Sequence, residues 1–516
     1  MKKGEIIELE ISKYAFEGKG IAKVDKSLIV PGAVKKVEAA PGDEDEERQG
    51  DEEQKKYVVF VHGSYPGDVV RAMITKIKNS YAEAKTVEVI RPSEERTKAP
   101  CKYFGVCGGC KQQDLNYEAQ LKYKHEQVKD IFERLGGFHD FEFQDILPSE
   151  KTYFYRNKME YSFAERRWLT KEELGDENVE KNFALGLHLP NIFDKVLDIN
   201  ECLLQSEESN RILNFTREFF KKRNATIYST KTHSGYLRNL IIRKTHHSKD
   251  LMVNLVTSEE NDLIMKEYTK ELLENVPEVT TIINNINTRK AQIAIGDYEI
   301  IYFGSGNIFD TIGDYNFRIS ANSFFQTNTL QAEKLYETGL KFGRIAKDDI
   351  VYDLYSGAGT ISIYVSKAAK KVYAFESVEP AVKDAEENRK INKIDNVKFI
   401  TADLNRSFLD IVKIKDLPSP DVVILDPPRS GMNPVTVKDV VSLDPDRIVY
   451  IDRRRRRQLE LVRAARFPLV ARQRRQLLHA RDVCPGKGRF GGRVEEQLAH
   501  PRVDFGVKTY LLYLPL

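Results

Sequence analysis

Runs of apolar and β-branched residues set off by turn residues mark the first part of the chain. Ile6-Ile7-Glu8-Leu9-Glu10-Ile11, Ser27-Leu28-Ile29-Val30, Lys56-Tyr57-Val58-Val59-Phe60-Val61 and Val69-Val70-Arg71-Ala72-Met73-Ile74 carry the pattern, with Gly18, Gly20, Pro31-Gly32 and Pro66-Gly67 between them. This predicts strands, so residues 1–95 are expected to form a small β module. Residues 96–320 mix two periods. Positions 115–135 have the polar and apolar faces of a helix, and Tyr153-Phe154-Tyr155-Arg156-Asn157-Lys158-Met159-Glu160 reads as one of several aromatic-rich strands. From 321 to 452 the pattern changes again. Short, mostly apolar runs at 350–354, 371–375, 422–425 and 448–451 are separated by helix-length stretches. Strands that are apolar on both faces belong to a parallel sheet covered by helices. The expected class is therefore α/β, with no internal repeat.

The ends of these apolar runs hold the candidate chemistry. Ile350-Val351-Tyr352-Asp353-Leu354-Tyr355-Ser356-Gly357-Ala358-Gly359-Thr360 is a strand, an acid, a Gly-x-Gly turn and a helix start. Glycines there let the backbone approach a ligand that a Cβ would exclude. The second run ends at Glu376, where a carboxylate can accept both hydroxyls of a ribose. The third, Val422-Val423-Ile424-Leu425, ends in Asp426-Pro427-Pro428-Arg429. The turn lacks the third glycine of the dinucleotide fingerprint and the lysine of a phosphate loop, which argues against a pyrophosphate ligand. The pattern resembles a class I S-adenosylmethionine-dependent methyltransferase with a Rossmann-like sheet.

Three of the five cysteines lie in Cys101-Lys102-Tyr103-Phe104-Gly105-Val106-Cys107-Gly108-Gly109-Cys110, and a fourth is Cys202. Four thiolates suit a tetrahedral zinc or a cubane cluster. Zinc sites of four cysteines pair two short knuckles, and Cys202 has no such partner. Three close cysteines and one distant one favour a [4Fe–4S] cluster, with zinc or no metal as the alternatives. Disulfides are not expected in a cytosolic chain.

Charge changes the picture only locally. The formal net charge of +3 conceals a run at 43–53 with eight acids and one arginine, and a segment at 453–516 with 16 basic and 5 acidic residues. The acidic run reads as a solvated insertion in the β module. Global charge gives no support for nucleic-acid binding, which must rest on local features. Lys76, Lys78 and Lys85 are candidate phosphate contacts. No stretch of about 18 apolar residues occurs, and Met1-Lys2-Lys3-Gly4-Glu5 does not open an apolar signal core. The expected location is the cytoplasm, with no membrane partner.

Together these motifs resemble the RNA uracil-5-methyltransferase family, and within it the iron–sulfur enzymes that act on 23S ribosomal RNA. The resemblance runs from residue 1 to about 451. Phe16-Glu17-Gly18-Lys19-Gly20-Ile21-Ala22 and the run from Pro66 resemble the OB-like, RNA-binding TRAM domain. Tyr155-Arg156-Asn157-Lys158, Ser323-Phe324-Phe325-Gln326-Thr327-Asn328 and Leu425-Asp426-Pro427-Pro428-Arg429-Ser430-Gly431 carry the rest. The resemblance implies that Gln326, Tyr355, Gly357, Gly359, Glu376 and Asp426 line the S-adenosylmethionine site, with Asp403 near the adenine. It also implies that Cys101, Cys107, Cys110 and Cys202 hold the cluster, that RNA is the partner and that the protein is a monomer. Thr360 stands where some relatives have asparagine. Family members add a cysteine thiolate to uracil C6, which makes C5 nucleophilic toward the methyl group. Asp426 would support that centre.

The pattern breaks after the last strand. Where the family has its nucleophilic cysteine, this chain has Arg453, in Ile448-Val449-Tyr450-Ile451-Asp452-Arg453-Arg454-Arg455-Arg456-Arg457. An arginine is always charged and cannot be a nucleophile. The family's downstream base motif is missing too. Residues 1–452 contain 45 Lys and 20 Arg, whereas 453–516 contain 2 Lys and 14 Arg. The simplest account is a shifted or fused reading frame after about residue 451. A genuine basic tail on a non-catalytic RNA-binding relative, or Cys484 as a relocated nucleophile, are the other two. The expected function is 23S rRNA (uracil-5-)-methylation by descent, inactive as written. A non-catalytic RNA-binding protein and a tRNA (uracil-5-)-methyltransferase are the alternatives. The segment 453–516 is not expected to pack as a native sheet, because Arg453 to Arg457 cannot be buried side by side, and the apolar ending Thr509-Tyr510-Leu511-Leu512-Tyr513-Leu514 is left to dock on an exposed edge.

Overall fold

The computed structural model describes residues 1–15, 18–25, 56–135, 137, 139, 142–190, 192–291, 294–428, 430–451 and the backbone of 508–512. The acidic run 43–53, the strand expected at 27–30, and Arg429, Arg453 and Cys484 lie outside them. The chain forms two compact units, Met1–Asp130 and Ile131–Leu516. Among the described residues no helix is long and apolar enough to cross a membrane.

The first unit is built on six strands: β1 (Ile6–Glu10), β2 (Lys13–Ala15), β3 (Lys19–Val24), β4 (Tyr57–His62), β5 (Val69–Ile77) and β6 (Tyr81–Arg91). Their order is β1-β5-β6-β4-β3-β2, with only β4 and β6 parallel. Alternation does its expected work. Val70, Ala72 and Ile74 of β5 are buried with Val59 and Val61 of β4, while Arg71, Met73 and Thr75 face outward. The helix expected over 115–135 is α1 (Tyr117–Asp130), followed by a wider π turn at Ile131–Leu135.

A buried carboxylate fastens residues 93–116 to this sheet. Asp68 is fully buried and accepts from Tyr65 N (2.6 Å), Ser93 N (2.8 Å) and both Nε and Nη2 of Arg96 (2.8 Å each). Arg96 also reaches Asp114 (2.5 Å) and the Gly63 carbonyl (3.1 Å), and its guanidinium lies over the Tyr65 ring. The cysteine segment 101–110 therefore travels with the β module.

The second unit begins with a mixed sheet. Its members are β7 (Lys158–Ala164), β8 (Arg167–Trp168), β9 (Ala184–Leu189), β10 (Ile192–Asp198), β11 (Leu237–Lys244), β12 (Leu251–Thr257), β13 (Thr281–Ile286) and β14 (Tyr298–Phe303). They run in the order β14-β13-β12-β11-β7-β9-β10-β8, with helices α2 (Glu207–Lys222) and α3 (Asp262–Asn275) between strands in the chain. The strand expected over 153–160 starts only at Lys158. Upstream, Phe154 takes a left-handed φ of 53°, and the Phe154 and Arg156 amides bond to Leu203 and Leu204 carbonyls (2.8 Å each) rather than to a ladder. A hairpin, β15 (Asn307–Ile312) and β16 (Tyr315–Ser320), leads into α4 (Thr329–Gly343).

The rest of the second unit is the doubly wound sheet: β17 (Ile350–Leu354), α5 (Thr360–Val365), β18 (Lys371–Glu376), α6 (Glu379–Ile391), β19 (Val397–Thr401), α7 (Leu409–Ile414), β20 (Val422–Leu425), α8 (Pro434–Leu443), β21 (Arg447–Ile451) and β22 (Lys508–Leu512). All its pairs are parallel, in the order β19-β18-β17-β20-β21-β22. Alternate residues feed two cores. Val351, Val422, Ile424 and Val449 pack on one face, and Tyr352, Leu354, Val423 and Leu425 on the other. That is why these runs are mostly apolar, with Asp353 a buried exception. The expected docking on the sheet edge is seen in the backbone, where Arg447 to Ile451 pair with Lys508 to Leu512.

Arg96→Ala strands the buried Asp68 charge. It is expected to lower the stability of the first unit by about 3–5 kcal/mol, read from urea unfolding followed by circular dichroism. An unchanged midpoint would contradict the assigned role.

Candidate functional site

β17 lies where the strand order reverses. The chain leaves it toward β18 and β19, then resumes on its other side at β20. Open α/β sheets bind ligands in the crevice at the carboxyl ends of the strands at such a switch point. Tyr355, Gly357, Glu376 and Asp426 lie at these strand ends, and Gln326 reaches Asp426 from outside the sheet.

The turn after β17 is shaped by local strain and by one acid. Tyr355 has a left-handed φ of 67° although it is not glycine. Its amide and that of Ser356 donate to the Phe375 carbonyl (3.0 and 3.1 Å). Glu376 bridges two turns: Oε2 accepts from Gly357 N (2.9 Å) and Oε1 from Ser377 N and Val378 N (2.8 Å each). The two glycines differ in role. A Cβ at Gly357 would meet nothing within 4 Å, whereas at Gly359 it would sit 2.5 Å from the Phe399 ring. Gly357 leaves open space beside the crevice, and Gly359 lets α5 pack on β19.

Gln326 enters from the loop between β16 and α4. It is 3% exposed, its Nε2 donates to Asp426 Oδ2 (3.4 Å), and its buried Oε1 has no protein partner. The mixed sheet holds this loop. Asn157 Nδ2 donates to the Gln326 carbonyl (2.7 Å) and Thr329 Oγ1 (3.0 Å), and Asn157 N to the Thr327 carbonyl (2.8 Å). Arg243, buried on β11, donates to the Ala321 and Ser323 carbonyls (3.1 and 2.6 Å). Burial lowers its pKa to about 10, which leaves it charged at neutral pH.

Asp353 is the site residue that motif reading undervalued. It is fully buried, one oxygen accepts from Ser362 Oγ, and the other has no partner. Burial raises its pKa to about 7, with the negative charges of Asp426 and Glu376 adding to the shift and Ser362 opposing it. Burial also raises the pKa of Tyr355, with Thr436 opposing and Glu376 adding. Asp403, by contrast, is exposed past β19 and engaged locally, by Asn405 N (3.0 Å) and Arg406 (3.5 Å). Thr360 bonds to the Tyr336 hydroxyl (2.8 Å).

The cysteines divide between the units. In the first, Cys101, Cys107 and Cys110 lie in a series of turns, and Cys107 Sγ accepts from Gly109 N (3.4 Å). Burial raises the Cys107 thiol pKa, and Cys110 and Cys101 add to it. In the second, Cys202 is buried between β10 and α2, its amide donating to Asn210 (2.9 Å). Among the described residues no group of three or more His, Cys, Asp and Glu is gathered so as to hold a metal ion. Lys76, Lys78 and Lys85 are exposed, with Lys76 beside Glu83 (3.4 Å).

Residues 242–456 match the family model described as tRNA (uracil-5-)-methyltransferase, and residues 1–87 match the TRAM domain. An uncharacterized RNA methyltransferase of Chlorobaculum tepidum is 39% identical over 454 residues, covering 87% of this chain and 88% of its own. This chain belongs to the RNA uracil-5-methyltransferase family. An uncharacterized RNA methyltransferase of Bacteroides thetaiotaomicron is 39% identical over 399 residues, covering 76% of this chain and 87% of its own. Among solved structures, the Pyrococcus abyssi tRNA (uracil-54, C5)-methyltransferase in complex with S-adenosyl-L-homocysteine is similar. It has a TM-score of 0.58 and 26% identity, over 80% of this chain and 90% of that one. The RNA uracil-5-methyltransferase family thus accounts for both the β module and the doubly wound sheet.

The raised pKa of Asp353 has a stability consequence. Folding favours its protonated form, so its contribution is full below the unfolded value near 4 and is lost as pH rises through about 7. Asp353→Asn removes that loss. Between pH 4 and 8 the wild type is expected to fall relative to Asp353→Asn by an amount on the order of 3 kcal/mol. Parallel denaturant titrations at the two pH values would show it, and parallel curves would refute it.

Proposed function

We propose that this chain is by descent a 23S rRNA (uracil-5-)-methyltransferase using S-adenosylmethionine, acting in the cytoplasm as a monomer, and that as written it lacks the group that starts the reaction. The meeting of Gln326, Asp426, Gly357 and Glu376 at the switch point carries this reading. The residues suit the cofactor. A cationic ligand matches an acidic crevice, the Gln326 Oε1 needs a donor, and the space at Gly357 admits a close approach. S-adenosylmethionine, when bound, supplies an electrophilic methyl group. Glu376 would hold the ribose hydroxyls, Tyr355 and Asp403 the adenosine side, and Gln326 and Asp426 the reacting end. Gly359 serves by packing. The target base must leave its stack to reach this crevice, and the TRAM module would hold the surrounding RNA.

Activation of uracil is where the chain fails. Addition to C6 requires a thiolate, and position 453 offers a permanently charged guanidinium. The assay is incubation with 23S rRNA fragments carrying 5-fluorouridine, which traps the C6 adduct. No stable adduct is expected from this chain or from Arg453→Cys, because the downstream base is missing as well. Replacing residues 452–516 with the corresponding segment of a relative should restore both adduct and methylation. An adduct on the present chain would overturn the inactivity, and mapping it to Cys484 would identify a relocated nucleophile.

The likeness to the Pyrococcus abyssi tRNA enzyme favours tRNA as the second reading. The repaired chain, offered both RNAs, decides between them. The cluster belongs to the proposal on cysteine spacing alone. Anaerobically purified protein is expected to be brown with about four irons, as four thiolates bind a cubane. Stoichiometric zinc without visible absorbance would overturn it.

A further inference from the structure

The acids at the switch point are unequally served. Glu376 has three backbone amides, from Gly357, Ser377 and Val378. Asp426 has the Gln326 amide. Asp353 is more deeply buried than either, and its donors are the hydroxyl and backbone of one residue, Ser362 on α5. Its neighbours across the ladder, Ala374 on β18 and Ile424 on β20, are apolar. The charges that act on it most strongly, Glu376 at the end of β18 and Asp426 past β20, are both negative. Interacting carboxyls in low dielectric do not all ionise, and the most deeply buried one keeps its proton. Buried Ser356 Oγ, Gln326 Oε1 and Asp353 Oδ1 have no protein partner and all lie on the elements that meet here.

We propose that Asp353 is a positioning residue that couples cofactor charge to a proton, staying protonated in the free protein and releasing that proton to solvent when a sulfonium-bearing cofactor binds. This rests on the cofactor reading above. S-adenosylmethionine brings an ammonium, a sulfonium and a carboxylate, a net charge of +1. The sulfonium and ammonium offset Glu376 and Asp426, so the ionised form of Asp353 becomes tolerable. S-adenosylhomocysteine has the same amino-acid end with a neutral sulfur. It leaves the acids less compensated, and Asp353 takes its proton back. The crevice thereby distinguishes substrate from product by charge, in the direction that retains the methyl donor and discharges the demethylated product.

The test is calorimetry of the full chain with S-adenosylmethionine and with S-adenosylhomocysteine, at pH 6.5, in buffers of different ionisation enthalpy. The wild type should release roughly 0.5–1 proton with S-adenosylmethionine and clearly less with the homocysteine product. Because both ligands carry the same α-amino group, their difference reports the protein. In Asp353→Asn that difference should vanish. The roughly tenfold gain in S-adenosylmethionine affinity expected for the wild type between pH 6 and 8 should flatten with it. Ser362→Ala removes the side-chain hydrogen bond to the carboxylate and should move the midpoint of proton release to higher pH. It carries the test if Asp353→Asn does not fold. Equal proton release by the two ligands, the same release from wild type and Asp353→Asn, or an unmoved midpoint in Ser362→Ala would overturn the coupling while leaving cofactor binding intact. Failure to bind S-adenosylmethionine at any pH would overturn the cofactor reading and this inference together.

Discussion

The reversal of strand order at β17 is the constraint on which the rest of the site depends. A parallel strand with helices on both faces must be apolar throughout, so its polar groups can appear only at its end. Three neighbouring strands end together at this reversal, and each ends in or beside an acid: Asp353, Glu376 and Asp426. Concentrating carboxylates at one edge of a buried sheet is unfavourable unless amides or a cation compensate them. The backbone turns do part of this. Glu376 ties the Gly357 turn to its own, and the left-handed Tyr355 is the local cost of aiming those amides. The remaining imbalance falls on Asp353.

The mixed sheet completes the site from a distance. Gln326 is brought to the acids from outside the doubly wound sheet, and it sits on a loop with no regular structure of its own. Asn157 and Arg243 replace that missing structure by bonding to four of the loop's carbonyls. Asn157 can do so because the chain before it leaves the ladder at the left-handed Phe154. The break in a strand and the fixing of the loop are one event. A side chain placed this way is held through backbone contacts, which do not depend on its own chemistry.

Local pattern made much of this legible. The apolar runs at 350–354, 371–375, 422–425 and 448–451 mark four strands because double burial removes the ambiguity of alternation. The acids at the strand ends are legible for the same reason, since a charge after four apolar residues has one place to go. The features that stayed hidden depend on contacts distant in sequence. Nothing near residues 153–160 signals that Asn157 will cap a loop some 170 residues away. Nothing near Arg96 signals that Asp68 will bind residues 93–116 to the β module. The two glycines of the turn look alike in sequence, and only the position of Phe399 separates a glycine facing open space from a packing one.

The place where the family pattern breaks separates binding from chemistry. Every residue assigned above to the acidic crevice lies on or just past β17, β18 and β20 or on the loop before α4, and their partners named here precede Ile451. On the proposed reading the nucleophile belongs one step further out, just past β21, a strand whose residues the sheet needs regardless of the chain beyond it. Val449 and Ile451 fill one core and Ile448 and Tyr450 the other. The backbone at 508–512 then covers the open edge of β21, as any chain of suitable pattern can, because parallel pairing uses main-chain groups. Covering an edge is undemanding, and placing a thiolate over one carbon of a flipped base is not. A change of sequence after residue 451 can therefore leave the crevice intact and remove the reaction.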